Sequence, residues 1–206
     1  MRAGMVTAVA LVVALGGCGG GGGDDDEDLL GRGTSFIEAD EIGQKKWDEV
    51  WAILIAEGYT AWADVPVSGT GTYRGVIGGW ADGGEPVDYV ADLELRVDFD
   101  DATVSGSVRN MVTDHVANFT HPEGTVRLSG TLAPDEFDTG IILVEGSGTL
   151  ETDRVAARVV VDGLGDLVGT DGRGILGQHE TDFVWLRGPA TGTTSFADGE
   201  FAAQRE

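Results

Sequence analysis

The stretch Tyr89-Val90-Ala91-Asp92-Leu93-Glu94-Leu95-Arg96-Val97-Asp98-Phe99 alternates strictly: Ala91, Leu93, Leu95, Val97 and Phe99 share one face, and Asp92, Glu94, Arg96 and Asp98 share the other. That two-residue period is the pattern of a β-strand with one face in a core and one in water. Asp100-Asp101 then offers a turn, and Thr103–Arg109 returns with Val104, Gly106 and Val108 on the apolar side, so the pair reads as a β-hairpin.

Alternation of the same kind continues on both sides of the hairpin. Gly71–Ile77 opens the series, and Thr125–Leu132, Ile142–Glu151, Arg154–Asp162, Ile175–Thr181, Phe183–Arg187 and Phe196–Ala202 extend it to the C-terminus. The expectation is a mainly β chain: a single closed antiparallel barrel of about eight strands. Closure removes the unpaired edges that an open sheet of this size would expose. The outward positions carry Asp, Glu, Arg, Ser and Thr and form no apolar band with aromatic girdles, so the barrel is expected to stand in water. Inward positions combine bulky residues (Leu93, Leu95, Val97, Phe99, Leu128, Val159, Val161) with Gly106, Gly130, Gly146 and Gly148, a pairing that predicts a filled interior.

One helix precedes the barrel. Between Asp40, a candidate N-cap, and Gly58, a natural stop, Trp47, Val50, Trp51, Leu54 and Ile55 recur at spacings of three and four. The stripe predicts a helix packed on the domain behind it, within 38–60. The barrel is expected over 67–206.

The N-terminus carries a different signal. Arg2, the apolar run Met5–Leu15 and Leu15-Gly16-Gly17-Cys18 together read as a lipoprotein signal peptide, 1–17, with Cys18 as the residue lipidated after cleavage. The chain has a single Cys, so no intrachain disulfide competes for it. Gly19–Gly23 and Asp24-Asp25-Asp26-Glu27-Asp28 follow as a flexible acidic tether, assigned to 18–37. The expected location is the outer membrane, reached through the lipid alone, with its cell-surface and periplasmic faces both open.

Charge narrows the partners. The formal net charge of -23 over 206 residues excludes nucleic acid and any charge-driven hold on an anionic membrane. No G-x-S-x-G, H-E-x-x-H or paired-Cys motif occurs, so the expectation is a protein without catalytic residues and without a metal site. The one polar cluster that suggests a ligand is the loop His115-Val116-Ala117-Asn118-Phe119-Thr120-His121, in which His115 and His121 offer imidazoles for haem iron or a divalent metal and Phe119 an aromatic contact. Trp62 and Trp80 are candidate anchors for a protein partner. Gly78-Gly79-Trp80 also admits a lipocalin-like carrier of a small apolar ligand. An accessory envelope lipoprotein with no small ligand is compatible with the same features.

Three segments carry a resemblance: Gly69-Thr70-Gly71-Thr72-Tyr73-Arg74-Gly75; Asp98-Phe99 leading into Thr103-Val104-Ser105-Gly106-Ser107-Val108; and Gly188-Pro189-Ala190 followed by Gly199-Glu200-Phe201. In this order they resemble the β-barrel domain of transferrin-binding protein B-like surface lipoproteins of Gram-negative bacteria. The resemblance implies a ligand- or host-protein-binding barrel, a protein or haem-type partner and a place in iron or haem acquisition. This chain has room for one such barrel only.

Replacing the anchor tests the N-terminal reading. Cys18→Ser is expected to abolish labelling by palmitate analogues and to move the protein out of the membrane fraction; a labelled, membrane-floating variant would overturn it.

Overall fold

Alternation at Tyr89–Phe99 places that segment in the second of eight long strands that pair in a ring. The computed structural model describes residues 28–31, 33–114 and 116–206; Cys18 and the signal segment lie outside the described residues. The helix α1 (Phe36–Glu57) comes first, followed by β1 (Thr70–Gly83), β2 (Val87–Asp98), β3 (Thr103–Asp114), a two-residue β4 (Glu123–Gly124), β5 (Val126–Pro134), β6 (Gly140–Glu151), β7 (Ala156–Val168), β8 (Gly174–Arg187) and β9 (Thr194–Arg205). All pairings are antiparallel, in the order β6-β5-β3-β2-β1-β9-β8-β7, and β6 pairs with β7 to close the barrel. β4 adds a short ninth strand on β6. The fold is therefore the closed antiparallel barrel with one preceding helix that the alternation predicts.

Side chains fill the interior. Tyr73, Tyr89, Leu95, Ile142, Phe183 and Trp185 are among the largest fully buried groups. Their bulk fits because glycines face them. A Cβ at Gly106 would sit 2.8 Å from Leu95 Cδ2, and one at Gly146 would sit 2.7 Å from Leu128 Cδ2. The Phe201 ring covers Gly165 and Gly177, and the His179 ring covers Gly199. Large groups thus lie against bare backbone on neighbouring strands, which brings the interior to close packing.

Those same glycines explain where strand ends differ from the sequence reading. β1 runs past Ile77 through Gly78-Gly79-Trp80 to Gly83, and Gly174–Arg187 is one continuous strand, not two. A glycine inside a strand reads as a break by propensity, but here it marks a close approach: backbone of the neighbouring strands at Gly78 and Gly79, and the Phe201 ring at Gly177.

Both ends are capped. At one, Phe119 meets Trp185 edge-on with ring centroids 5.3 Å apart, and Trp185 stacks on Phe183. The Trp185 indole N–H donates to Ser195 Oγ (2.9 Å), whose hydroxyl donates to the Glu85 carbonyl (2.6 Å). At the other, the chain leaving α1 bridges Ala61 to Thr139, the Trp62 amide donates to Asp138 O, and Val65 enters the core. The Tyr73 hydroxyl donates to Gly172 O at 2.6 Å, and burial raises its pKa to about 12.

The helix begins five residues earlier than Asp40 as N-cap suggests. Ser35 is the N-cap and forms a reciprocal capping box with Glu38, leaving Asp40 exposed on the helix. The buried line is Ala39, Val50 and Ile53, flanked by Phe36, Ile42, Trp47 and Leu54. Trp51 and Ile55, expected on the stripe, face solvent instead. The helix lies on the outside of the barrel, over Val76, Val90 and Val112 near its start and over Val168, Leu176 and Ala202 near its end. Of the stretch read as tether, Asp28–Gly31 docks on this same face: Leu30 is buried among Ala39, Val76, Val90 and Val112.

Adding one methyl group inside should be costly. A Cβ at Gly177 overlaps the Phe201 ring and the Leu164 carbonyl, so Gly177→Ala is expected to destabilise the fold by about 3 kcal/mol. Chemical denaturation checks this; an unchanged midpoint would contradict the close packing.

Candidate functional site

Inside the barrel, one polar cluster interrupts the apolar core. His179, on β8, is buried and faces inward. Its Nε2–H donates to the Gly78 carbonyl at 3.1 Å, which leaves Nδ1 to accept from the Thr181 hydroxyl at 3.0 Å, with the Tyr89 hydroxyl 3.4 Å away. Burial pushes the His179 pKa down to about 4, against the smaller opposing pulls of the Gly78 carbonyl and Asp198. A neutral imidazole whose two nitrogens both have partners is a structural group, and the space on its interior side is small. The void bounded by Ile77, Leu93, Leu128, Val144, His179 and Phe201 measures about 10 Å³, the lower limit for one water.

The loop predicted as a contact site divides differently. His115 lies outside the described residues. Phe119, expected as an aromatic contact, is fully buried and packs edge-on against Trp185 at the barrel end. The Phe119 carbonyl also accepts from the Thr113 hydroxyl (2.6 Å). His121 is exposed. Trp62 is half-buried against the core, whereas Trp80 stands 54% exposed on the outer wall.

Around Trp80 the outer surface forms an open groove of about 1560 Å³ crossing β1 and β9 to β5. Its large exposed apolar side chains are Trp80, Leu143 and Leu164, the last two directly paired across β6 and β7. A row of carboxylates runs beside them in direct register: Asp198 opposite Glu180, Glu180 opposite Asp162, and Asp162 opposite Glu145. Trp80 is the next residue of that row, paired with Asp198.

Comparison with protein-family models and with curated proteins returned no match.

The groove residues other than Trp80 were not singled out from sequence. The signal for Leu143 and Leu164 was local: each is a leucine on the outward phase of an otherwise polar face. The carboxylate row had no local signal, because its members are far apart in sequence and only register aligns them.

A second buried ionisable group also escaped notice. Asp92 points outward from β2, as the alternation predicts, but the docked N-terminal segment covers it. Its carboxylate accepts from the Leu30 amide (3.0 Å) and from Asn110 Nδ2 (2.9 Å). Burial raises its pKa to about 6, with those two hydrogen bonds opposing the shift.

These two groups make opposite pH contributions in one window. The unfolded chain holds more protons on His179 than the native one between about pH 6.5 and about pH 4, so its contribution to stability is lost as pH falls through that range. For Asp92 the native state holds more protons, so its contribution is lost as pH rises from about 4 through about 6. Relative to the parent chain, His179→Gln, which can keep both hydrogen bonds without titrating, should gain up to about 3 kcal/mol at pH 4 over its value at pH 7. Asp92→Asn should shift the other way, gaining relative stability as pH rises. Denaturation midpoints at pH 4, 5, 6 and 7 (about one-unit steps across the window) measure both; parallel curves for parent and variants would refute the assignment.

Proposed function

We propose that this chain is an outer-membrane lipoprotein anchored through Cys18, without catalytic activity, that binds a partner on the outside of its barrel. The observation that carries the reading is the contrast between the two sides of the wall. The interior offers about 10 Å³, whereas pockets for small ligands run to several hundred. The exterior presents an open groove with a half-exposed tryptophan and two exposed leucines, side chains of the kind that anchor protein partners. The transferrin-binding protein B-like motifs support a host protein or a haem-type ligand, and with it a role in iron or haem acquisition. A lipocalin-like carrier is less well supported, because Gly78-Gly79-Trp80 lies within β1 with Trp80 pointing outward and the space such a carrier needs is occupied by Phe201, His179 and Tyr89.

Two titrations test the reading. Fatty-acid and retinoid probes are expected to show no saturable quenching of tryptophan fluorescence at micromolar concentration; saturable binding would favour the carrier. Haem should give no Soret shift dependent on His121; a shift abolished by His121→Ala would move recognition to the end loop.

A further inference from the structure

We infer that the outer groove is a docking surface for a cationic, amphipathic helix of a partner polypeptide, an assignment that rests on the outer-face reading above and names the chemistry of its partner. It starts from an electrostatic cost. Asp198, Glu180, Asp162 and Glu145 occupy directly opposed positions on β9, β8, β7 and β6, and all four are exposed. Like charges directly across a ladder destabilise a sheet, and this row contains three such contacts in succession. Among the described residues no Lys or Arg lies within ion-pair distance of any of the four. Elsewhere on the same molecule carboxylates do have cations: Glu94 meets Arg74 and Arg109, Glu151 meets Arg187, and Glu57 meets Arg173. The fold therefore tolerates local repulsion at one row where its own arginines stay away.

Apolar groups flank that row. Trp80 continues it on β1; Leu164 and Leu143 lie two residues along their strands on one side, and Phe196, 63% exposed, lies two residues along β9 on the other. The acidic row thus has large exposed apolar side chains on both of its margins, within reach of one partner. A second copy of this chain would bring carboxylates onto carboxylates, and an anionic lipid surface would do the same.

Spacing selects the form of the partner. Neighbouring strands are about 4.8 Å apart, so the row repeats at that interval and spans about 14 Å. Residues three and four apart on a helix are about 5–6 Å apart, a near match, whereas alternate residues of an extended chain are about 7 Å apart. A helix of about ten residues laid across the strands spans the row at about 1.5 Å per residue. Lys or Arg at i, i+3/i+4 and i+7 would then face the carboxylates, with Leu or aromatic side chains on the adjoining face over Trp80, Leu164 and Leu143.

The test uses the full chain and a fluorescently labelled synthetic helix bearing Lys at i, i+4 and i+7 with a leucine face, followed by anisotropy at low and high salt. A scrambled peptide of equal composition and charge is the comparison. Saturable binding is expected for the amphipathic helix, weakened about tenfold by Asp162→Asn with Glu180→Gln and by Trp80→Ser. Glu136→Gln with Asp138→Asn, which removes the same charge at the exposed turn between β5 and β6, should leave affinity unchanged. The double neutralisation in the row should also raise the melting temperature, which shows that the variant is folded. Equal weakening by both double variants, equal binding of the scrambled peptide, or no saturable binding at low salt would overturn the proposal. If none of the apolar probes enters the barrel and one of these results is obtained, the cationic-helix assignment alone falls. Saturable probe binding inside the barrel would remove the outer-face reading itself.

Discussion

Aromatic rings laid on inward glycines are the contact on which the barrel depends. Phe201 against Gly165 and Gly177, and His179 against Gly199, allow three adjacent strands, β7, β8 and β9, to face each other over a filled interior. With a side chain at those positions the rings would have to leave the interior or the strands would have to move apart. The same exchange of volume lowers the outer wall, since a glycine between two outward residues leaves the backbone with little cover. Gly79, Gly163 and Gly199 border the outer groove for this reason. Packing inside and access outside therefore have one cause.

The helix does a different job. It crosses the outer wall over β1, β2 and β3 at its start and over β7, β8 and β9 at its end, covering apolar positions that would otherwise break the polar exterior. Val76, Val90 and Val112 belong to the outward phase of their strands and need this cover. Gly43 sits over this patch, where a Cβ would make ordinary van der Waals contact with Val90 Cγ1 at 3.5 Å.

Much of the architecture was legible because one physical signal, alternation, recurs with little interruption. Tyr89–Phe99 and Thr103–Arg109 pair as read, with Val97 opposite Val104 and Leu95 opposite Gly106. What alternation missed was governed by contacts remote in sequence. Gly174–Arg187 is one strand because it pairs without interruption through Asp182 with Val160 on one side and Phe196 on the other, a fact no local window contains. Ser35 caps the helix with Glu38 although Asp40 is the residue nearer the strong apolar periodicity. Phe119, read as a contact residue from its place between two histidines, is buried because Trp185 waits for it across the barrel mouth. The groove was legible only at Trp80. Its carboxylate row exists through strand register, which the pattern of a single strand does not specify.

The hydrogen bond from the Leu30 amide to Asp92 gives the molecule a mechanical order. Leu30 is held at the side of the barrel by β2, so a pull applied at Asp28 acts first on Asp92 and the buried Leu30. Next in line are the helical contacts from Ala39 to Ile53, which peel from the wall one turn at a time. The strand ladder receives load only after both have released. Force is thus met by a graded peel along the flank, while the interlocked strands carry none of it at the outset.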